Sequence, residues 1–481
     1  MNKRLLFNTI GKILILEALF LVFPLIVALI YRESIKNILA ISVTVLILLV
    51  IGFLLSIIKV KGLNFNAKDG FAIVVISWIL MSVFAGIPFV ITGFIPSIID
   101  ATFEMASGFT TTGASILTDV EILPHSLTFL RSFTHFIGGM GILVFAFAFL
   151  PKTKGAVNVM RAEVPGHTFG KLVSRLDTTA QILYKIYVIL TLVFIVVLML
   201  CGMSPFDAFI HGFGTAGTGG FSNRAASIGY YNSPLIEYVI TFGMIVFGIN
   251  FNLYYLILIG NIKDAVQNQE VRVYFSIWLI ASAIIGVQMY GRIGNVEETV
   301  RKVLFSTASV MTTTGYGTAD FATWSMFSQM ILMILMFCGG SAGSTAGGFK
   351  ISRVIMLFKS AINSLRRAIN PKRVLIVTEN NKIVPDEVMK SVLVYFVLYM
   401  SIFTVMSLIA VLDCEDFLTA ISSVSATLNN IGPGLSKVGP TGNFAFFSPI
   451  SKICFTITMI VGRLEIVPVL VLLLPNTWSR R

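Results

Sequence analysis

Stretches of about 20 apolar residues, the length that a helix needs to cross a bilayer, recur from one end of the chain to the other. Roughly ten of them can be counted by that length criterion, and short polar segments separate them. The first, 13–31, is followed by too many others to be read as a cleaved signal peptide. The pattern predicts an all-α polytopic membrane protein.

One structural unit occurs four times after a leading pair of helices at 10–32 and 37–60. Each copy has a long apolar helix, a helical stretch of ten to twelve residues, a turn rich in Thr, Gly or Asn, and a second long apolar helix. Such repetition indicates one supersecondary unit per repeat. We expect two extra N-terminal transmembrane helices (1–66) and four tandem helix–pore helix–filter loop–helix repeats in a pseudo-fourfold arrangement. The repeat boundaries are 67–157, 158–266, 267–380 and 381–481.

The four turns align on one glycine each: Gly113, Gly219, Gly315 and Gly432. Ten residues earlier stand Phe103, Phe209 and Phe305 in the first three copies, and Ser422 in the divergent fourth. Seven residues earlier the side chain is always small: Ala106, Gly212, Ala308 and Ser425. Small residues there predict that each short helix packs closely against a long neighbour.

Turns at membrane depth indicate a cation site, because non-helical backbone is tolerated there only when it is buried in protein or lines water. Glycine lets successive carbonyl oxygens face an axis, where they replace the hydration shell of a monovalent cation. The third turn, TTTGYG, is close to the potassium-channel signature TVGYG, and the negative ends of the short helices add favourable potential. The alternative is that the turns are only tight re-entrant connections. The predicted cation ligands are Thr111, Thr112, Gly113, Thr218, Gly219, Gly220, Thr313, Thr314, Gly315, Tyr316, Asn430, Ile431 and Gly432.

The charge distribution fits a membrane topology better than a nucleic-acid site. Only 12% of the residues are charged and 56% are apolar, too little charge for a soluble domain, yet the net charge is +12. Basic residues collect at both ends and in 59–68, 152–175 and 359–382, whereas acidic residues collect in the alternate connections at 119–121, 297–298 and 413–416. The positive-inside rule then places the basic segments and both termini in the cytoplasm.

Catalytic and metal chemistry have no visible framework in the sequence. The four cysteines and four histidines are scattered, and we interpret them as packing residues and ordinary loop or helix-end histidines. HExxH and twin intramembrane aspartates are absent, so an intramembrane enzyme is disfavoured. A carrier with inverted repeats is also disfavoured, because all four copies run with the same polarity.

The third repeat contains a glycine-rich stretch where a transmembrane helix is expected to continue. Its glycines are Gly339, Gly340, Gly343, Gly347 and Gly348. Each costs a helix about 1 kcal/mol relative to alanine, so we expect the helix to break within the membrane. A phosphate-binding loop is excluded, because Phe349 follows Gly348 where that motif needs lysine. Small-xxx-small helix packing remains the alternative to a flexible gating loop that crosses the pore beneath the filter.

Arg463 lies within the last apolar helix, where a charge normally faces the bundle interior or water. We expect its cation to act as an electrostatic barrier in the pore. An internal salt bridge, for example with Glu465, is the alternative.

The whole chain resembles the TrkH/TrkG/KtrB/HKT superfamily of potassium transporters, and the TrkH type most closely. The similarity rests on the four turns, the segment 131–151 with its IGGMG motif, the glycine-rich stretch and the GRLE motif at 462–465. It implies K+ bound in the filter, a homodimer in the prokaryotic plasma membrane, and a TrkA-like cytosolic ring of nucleotide-binding regulatory domains. Glycine at the first filter position, where sodium-preferring members have serine, favours potassium. A sodium-permeable or sodium- or proton-coupled transporter of the same fold is the alternative.

Overall fold

The computed structural model describes residues 2–60, 67–141, 176–373, 375–380 and 382–478. The basic segment 152–175, the boundary at 157 and part of the 131–151 motif lie outside these ranges. Within them the all-α prediction is confirmed, apart from a two-residue strand pair, β1 (Thr378–Glu379) and β2 (Lys382–Ile383), which is antiparallel.

The leading helices α1 (Lys3–Ile30) and α2 (Ile35–Ser56) precede four long helices, one at the start of each repeat. These are α3 (Ala67–Thr92), α6 (Leu176–Leu200), α11 (Gln269–Ile293) and α15 (Asp386–Val411). Each has 25 or 26 residues, and a helix of that length extends about 38 Å, enough for the hydrocarbon core.

A short helix follows each long one and points into the protein. The four are α4 (Ile98–Phe109), α7 (Pro205–Gly217), α12 (Val296–Met311) and α16 (Phe417–Leu428). Each begins at a side chain that accepts a backbone N–H of the first turn, namely Ser97, Ser204, Asn295 and Asp416. Such caps satisfy N–H groups that the helix leaves free, which explains why these helices begin where they do. Two match the predicted length at 12 residues, whereas α7 has 13 and α12 has 16.

The second helix of each repeat is shorter than expected. The four are α5 (His125–Gly139), α8 (Pro234–Phe247), α13 (Met326–Cys338) and α17 (Pro449–Arg463), with 13 to 15 residues each. About 22 Å of helix cannot cross a 30 Å core. After α8 the chain bends by 91° into α9 (Phe251–Leu258), and after α17 Glu465 and Ile466 adopt φ of +61° and +62°. The prediction of a second long helix is wrong for the first, second and fourth repeats, whereas in the third repeat α13 ends at Cys338, where the break was predicted. The described residues hold six helices long enough to span, or seven if the bent pair counts as one.

The remaining helices connect or close the repeats. They are α10 (Ile262–Val266), α14 (Ile351–Ile369), α18 (Val467–Leu473) and α19 (Pro475–Trp478). Large apolar side chains on the long helices are exposed, among them Leu46, Leu200, Val287 and Leu408, at 62 to 82%. The hydroxyl-bearing turns are instead buried in the centre. This distribution, apolar outside and polar inside, is the one that a bilayer imposes.

Candidate functional site

The four turns share one backbone conformation. We call them turn 1 (110–113), turn 2 (217–220), turn 3 (312–315) and turn 4 (429–432). One residue in each is left-handed: Thr111, Thr218, Thr313 and Asn430, with φ of +53° to +57°. The next residue donates its N–H to the carbonyl five positions earlier, at 2.8 or 2.9 Å in every turn. A glycine with positive φ follows: Gly113, Gly220, Gly315 and Gly432.

This geometry corrects the sequence alignment of turn 2. The glycine equivalent to Gly113 is Gly220, and Gly219 is equivalent to Thr112. The misalignment arose because Gly219 and Gly220 are adjacent, and only Gly220 has the positive φ of the other three glycines. The predicted equivalence of Phe209 and Gly212 with the other repeats is therefore off by one as well.

Close glycine contacts join the turns in cyclic order. A Cβ added to Gly113 would overlap the carbonyl oxygen of Gly219 in turn 2, and one on Gly220 would overlap that of Thr314 in turn 3. A Cβ on Gly315 would overlap the Ile431 carbonyl oxygen, and one on Gly432 would lie 2.7 Å from that of Thr112. Each turn therefore contacts the next, and turn 4 contacts turn 1. Only glycine permits this approach.

All four of these glycines also line one cavity of about 800 Å³, open space included. Arg131 and Arg224 border it, and each is paired with a carboxylate. Arg131 bonds Glu104 at 2.9 Å with both side chains buried, while Arg224 lies 3.8 Å from Asp207. Because each guanidinium has a carboxylate beside it, neither presents an uncompensated positive charge to the cavity mouth.

Buried side chains on the short helices hold the segment after each turn. The Glu104 carboxylate accepts hydrogen bonds from Ser115 Oγ at 2.9 Å and from the Ile116 N–H at 3.0 Å. In the second repeat His211 Nε2 pairs with Ser222 Oγ at 3.0 Å. Equivalent bonds join Ser309 to Tyr316 in the third repeat and Ser422 to Leu435 in the fourth.

The sequence did not predict that Glu104, His211, Ser309 and Ser422 hold the segments after the turns. Glu104, a charge inside a short apolar helix, was the available signal, because such charges are normally paired. The interpretation of the histidines as loop or helix-end residues is wrong for His135 and His211, which lie inside α5 and α7 with no exposed surface. Within the described ranges no cluster of His, Cys, Asp or Glu can hold a metal ion.

The glycine-rich loop (339–348) follows α13 and is buried among the helix ends. Its Ser341 N–H donates to the Gly248 carbonyl at 3.1 Å, and Thr345 Oγ1 donates to the Phe247 carbonyl at 3.1 Å. The bend between α8 and α9 is thus bonded to the loop.

The same loop also contacts two of the turns. The Gly347 N–H donates to Thr313 Oγ1 in turn 3 at 2.7 Å. A Cβ on Gly347 would overlap the carbonyl of Asn429 in turn 4. The loop therefore lies directly against the ring of turns, on the side where the short helices end.

Arg463, at the end of α17, is 5% exposed and donates to three carbonyl oxygens. One bond reaches Thr345 in the loop at 2.7 Å, and two reach the end of α5, at Gly138 (2.6 Å) and Gly139 (2.5 Å). Glu465, the partner considered in the alternative interpretation, instead forms an ion pair with Arg353 on α14. Arg463 thus ties the loop of the third repeat to the helix ends of the first and fourth.

Below the loop, Arg353 joins the third repeat to the fourth. Its guanidinium pairs with Glu465 and lies 4.1 Å from the ring centre of Tyr395 on α15. Lys350, the residue before α14, is also buried and donates to the Ala346 carbonyl of the loop. Lys350 and Arg463 therefore both donate to carbonyl oxygens of the loop, at Ala346 and Thr345.

Comparisons with known proteins agree along the whole chain. Residues 35–479 match the family described as TrkH, cation transport protein. The Trk system potassium uptake protein TrkH of Escherichia coli (strain K12) is 35% identical, with 99% of this chain and 100% of the relative covered. TrkG of the same strain is also 35% identical, with 99% of each covered. The crystal structure of the potassium transporter TrkH from Vibrio parahaemolyticus superposes with a TM-score of 0.89 at 32% identity, covering 100% of both chains.

Proposed function

The chain belongs to the TrkH family of cation transport proteins, and from this membership we propose that it carries K+ through a pore that the four turns line. Its relatives are potassium uptake proteins rather than enzymes. The observation that carries the proposal is the closed cycle of glycine contacts, since it brings four turns of one conformation around a common centre.

Dehydration of the ion is the step that the turns perform. Backbone carbonyls of the turns take the place of water around K+, and no proton transfer or covalent chemistry is needed. The short helices end at the turns, so their negative ends favour a cation at the centre. The threonine hydroxyls and the Asn430 side chain belong to the same ring, and all of them are buried.

Selectivity for K+ over Na+ follows from the glycine at each equivalent position. A side chain at Gly113 would force turn 1 away from Gly219 and change the spacing of the carbonyls. Turn 4 departs from turns 1 and 3, because Asn429, Asn430 and Ile431 stand where those turns have threonines. A sodium-permeable or coupled transporter of the same fold is the second candidate, and this asymmetry favours it.

Closure of the pore is assigned to the glycine-rich loop. It lies against turns 3 and 4, and Arg463 holds it from the side of α5 and α17. In the closed state the loop and the Arg463 cation obstruct the path beneath the turns. Withdrawal of the loop opens it.

Control from the cytosol fits the position of α14. This helix starts directly after the loop, and its last turn carries the exposed residues Arg366 and Arg367. A TrkA-like cytosolic regulatory ring that binds this basic end would move the loop. We assign the protein to the prokaryotic plasma membrane as a homodimer with both termini in the cytoplasm, from the charge pattern and the family.

The test compares K+ and Na+ flux through purified protein in liposomes for the wild type and Gly113→Ser. We expect the K+/Na+ flux ratio to fall about tenfold, a change of about 1.4 kcal/mol. Gly317→Ser is the matched control, because Gly317 lines the same cavity but its added Cβ would meet only Pro440, at 3.4 Å. A wild type that passes Na+ as readily as K+ contradicts the proposal.

A further inference from the structure

Turn 2 has no side chains at the two positions that flank its left-handed residue, whereas the other three turns do. In turns 1 and 3, threonines flank the left-handed residue and their hydroxyls bond each other at 2.7 Å: Thr110 with Thr112, and Thr312 with Thr314. Turn 4 has Asn429 and Ile431 at these positions, and Asn429 Oδ1 accepts a hydrogen bond from the Tyr399 hydroxyl at 2.7 Å. In turn 2 both positions are glycine, Gly217 and Gly219.

His135, from the α5 helix of the first repeat, fills the space behind turn 2. Its imidazole has no exposed surface and stacks on Phe221, with ring centres 4.3 Å apart and planes at 20°. A Cβ on Gly219 would overlap three atoms of this ring, Cγ, Nδ1 and Cδ2. A Cβ on Gly217 would overlap the His135 carbonyl group.

Backbone conformation does not explain the glycine at 219. Gly220 has φ of +76°, in the region that favours glycine, whereas Gly219 has no positive φ and its backbone accepts any residue. The three atoms nearest to an added Cβ on Gly219 all belong to His135. The imidazole is therefore what excludes a side chain there.

We propose that His135 is a positioning residue of the ion pathway, whose ring replaces the missing side chains of turn 2 and presses the Gly219 carbonyl against Gly113 in turn 1. The contact is direct on both sides, since the ring touches Gly219 and the Gly219 oxygen is the atom that faces Gly113. His135 thereby sets the spacing between the first and second turns. The inference rests on the proposed function, because ion selectivity is its readout.

Reciprocal substitution tests the fit. In liposomes with purified full-length protein, His135→Ala frees turn 2 and lowers the K+/Na+ flux ratio about tenfold, which corresponds to about 1.4 kcal/mol. Gly219→Ala lowers the ratio as well, because its methyl group displaces the ring. In the double variant the methyl group occupies the space that the ring has left, and most of the ratio returns.

Gly220→Ala is the matched control. Its Cβ would overlap the Thr314 carbonyl and its backbone is left-handed, so His135→Ala does not rescue it. His135→Asn, a smaller change, gives a weaker form of the same loss and serves if the alanine variant does not fold. Thermal unfolding is measured for every variant.

The outcomes separate the two proposals. A selective wild type whose ratio is unchanged in both His135 variants overturns this inference alone. A double variant no better than either single one also overturns it, as does a loss of thermal stability and total flux at constant ratio. A wild type without K+ preference refutes the proposed function, and this inference falls with it.

Discussion

Arg463→Ala removes a side chain at the end of α17 that bonds both the glycine-rich loop and the end of α5. Its guanidinium donates to Thr345 in the loop and to Gly138 and Gly139 on α5. In the proposed closed state the Thr345 bond restrains the loop, and the bonds to α5 anchor the guanidinium. Alanine abolishes both and removes the positive charge from the pathway.

The magnitude follows from the bond to Thr345. A hydrogen bond to a charged group contributes about 1.5–3 kcal/mol, and each 1.4 kcal/mol is about tenfold in an equilibrium constant. Loss of that single bond shifts the closed–open equilibrium by about tenfold to about 150-fold toward the open state. Uptake rises by the same factor while the closed state dominates the wild type.

The assay is initial K+ or Rb+ uptake at equal protein content in liposomes. The uptake rate of Arg463→Lys is expected to lie between those of the wild type and Arg463→Ala. An ammonium group keeps the charge but lacks the planar guanidinium geometry that reaches several carbonyl oxygens at once. Arg292→Ala is the control, since this exposed arginine donates to the Thr323 carbonyl, far along the chain from the loop. Unchanged or lower uptake in Arg463→Ala, with normal thermal unfolding, refutes the assignment of Arg463 to the closed state.

Two further predictions concern ion pairs, one buried and one partly buried. Glu104→Gln leaves the buried Arg131 guanidinium without its carboxylate, and we expect it to lower the free energy of unfolding by about 3–5 kcal/mol. Adding Arg131→Met to this variant is expected to recover most of that loss, as measured by thermal unfolding. A Glu104→Gln variant as stable as the wild type would contradict the reasoning. Arg353→Met and Glu465→Gln each break the same ion pair. A double-mutant cycle on K+ uptake is therefore expected to give a coupling free energy of about 0.5–3 kcal/mol. Strictly additive effects of the two substitutions on uptake would show that the pair does not control the loop.

The repeat architecture was predictable because its signals are local. The length of α3 or α15 follows from one continuous apolar run, and each turn is recognised from a few adjacent residues. Among the inner helices, only the end of α13 was predictable, from the glycine-rich stretch that follows it. The bend after Phe247 has a long-range component, because the loop, about 100 residues later, bonds the carbonyls of Phe247 and Gly248.

The site was predictable in its residue types but not in its register or its supports. Gly219 and Gly220 are adjacent glycines, and only the backbone angle distinguishes them. The pairing of Glu104 with Arg131 spans 27 residues and two helices, so no local pattern encodes it. The position of Arg463 inside a helix was informative, whereas its partners, more than 100 residues away, were not.

The cyclic contact of the four turns determines how many of them a single amino-acid substitution changes. An assembly of four identical subunits carries every amino-acid change in quadruplicate, so a mild alteration is multiplied around its axis. Here one polypeptide supplies all four quadrants, and an exchange at Gly113 or Gly432 alters a single quadrant and reaches its neighbour only through the touching carbonyl. In the proposed pore, permeation can therefore be changed one quadrant at a time, and turns as unlike as TTTG and NNIG form one ring.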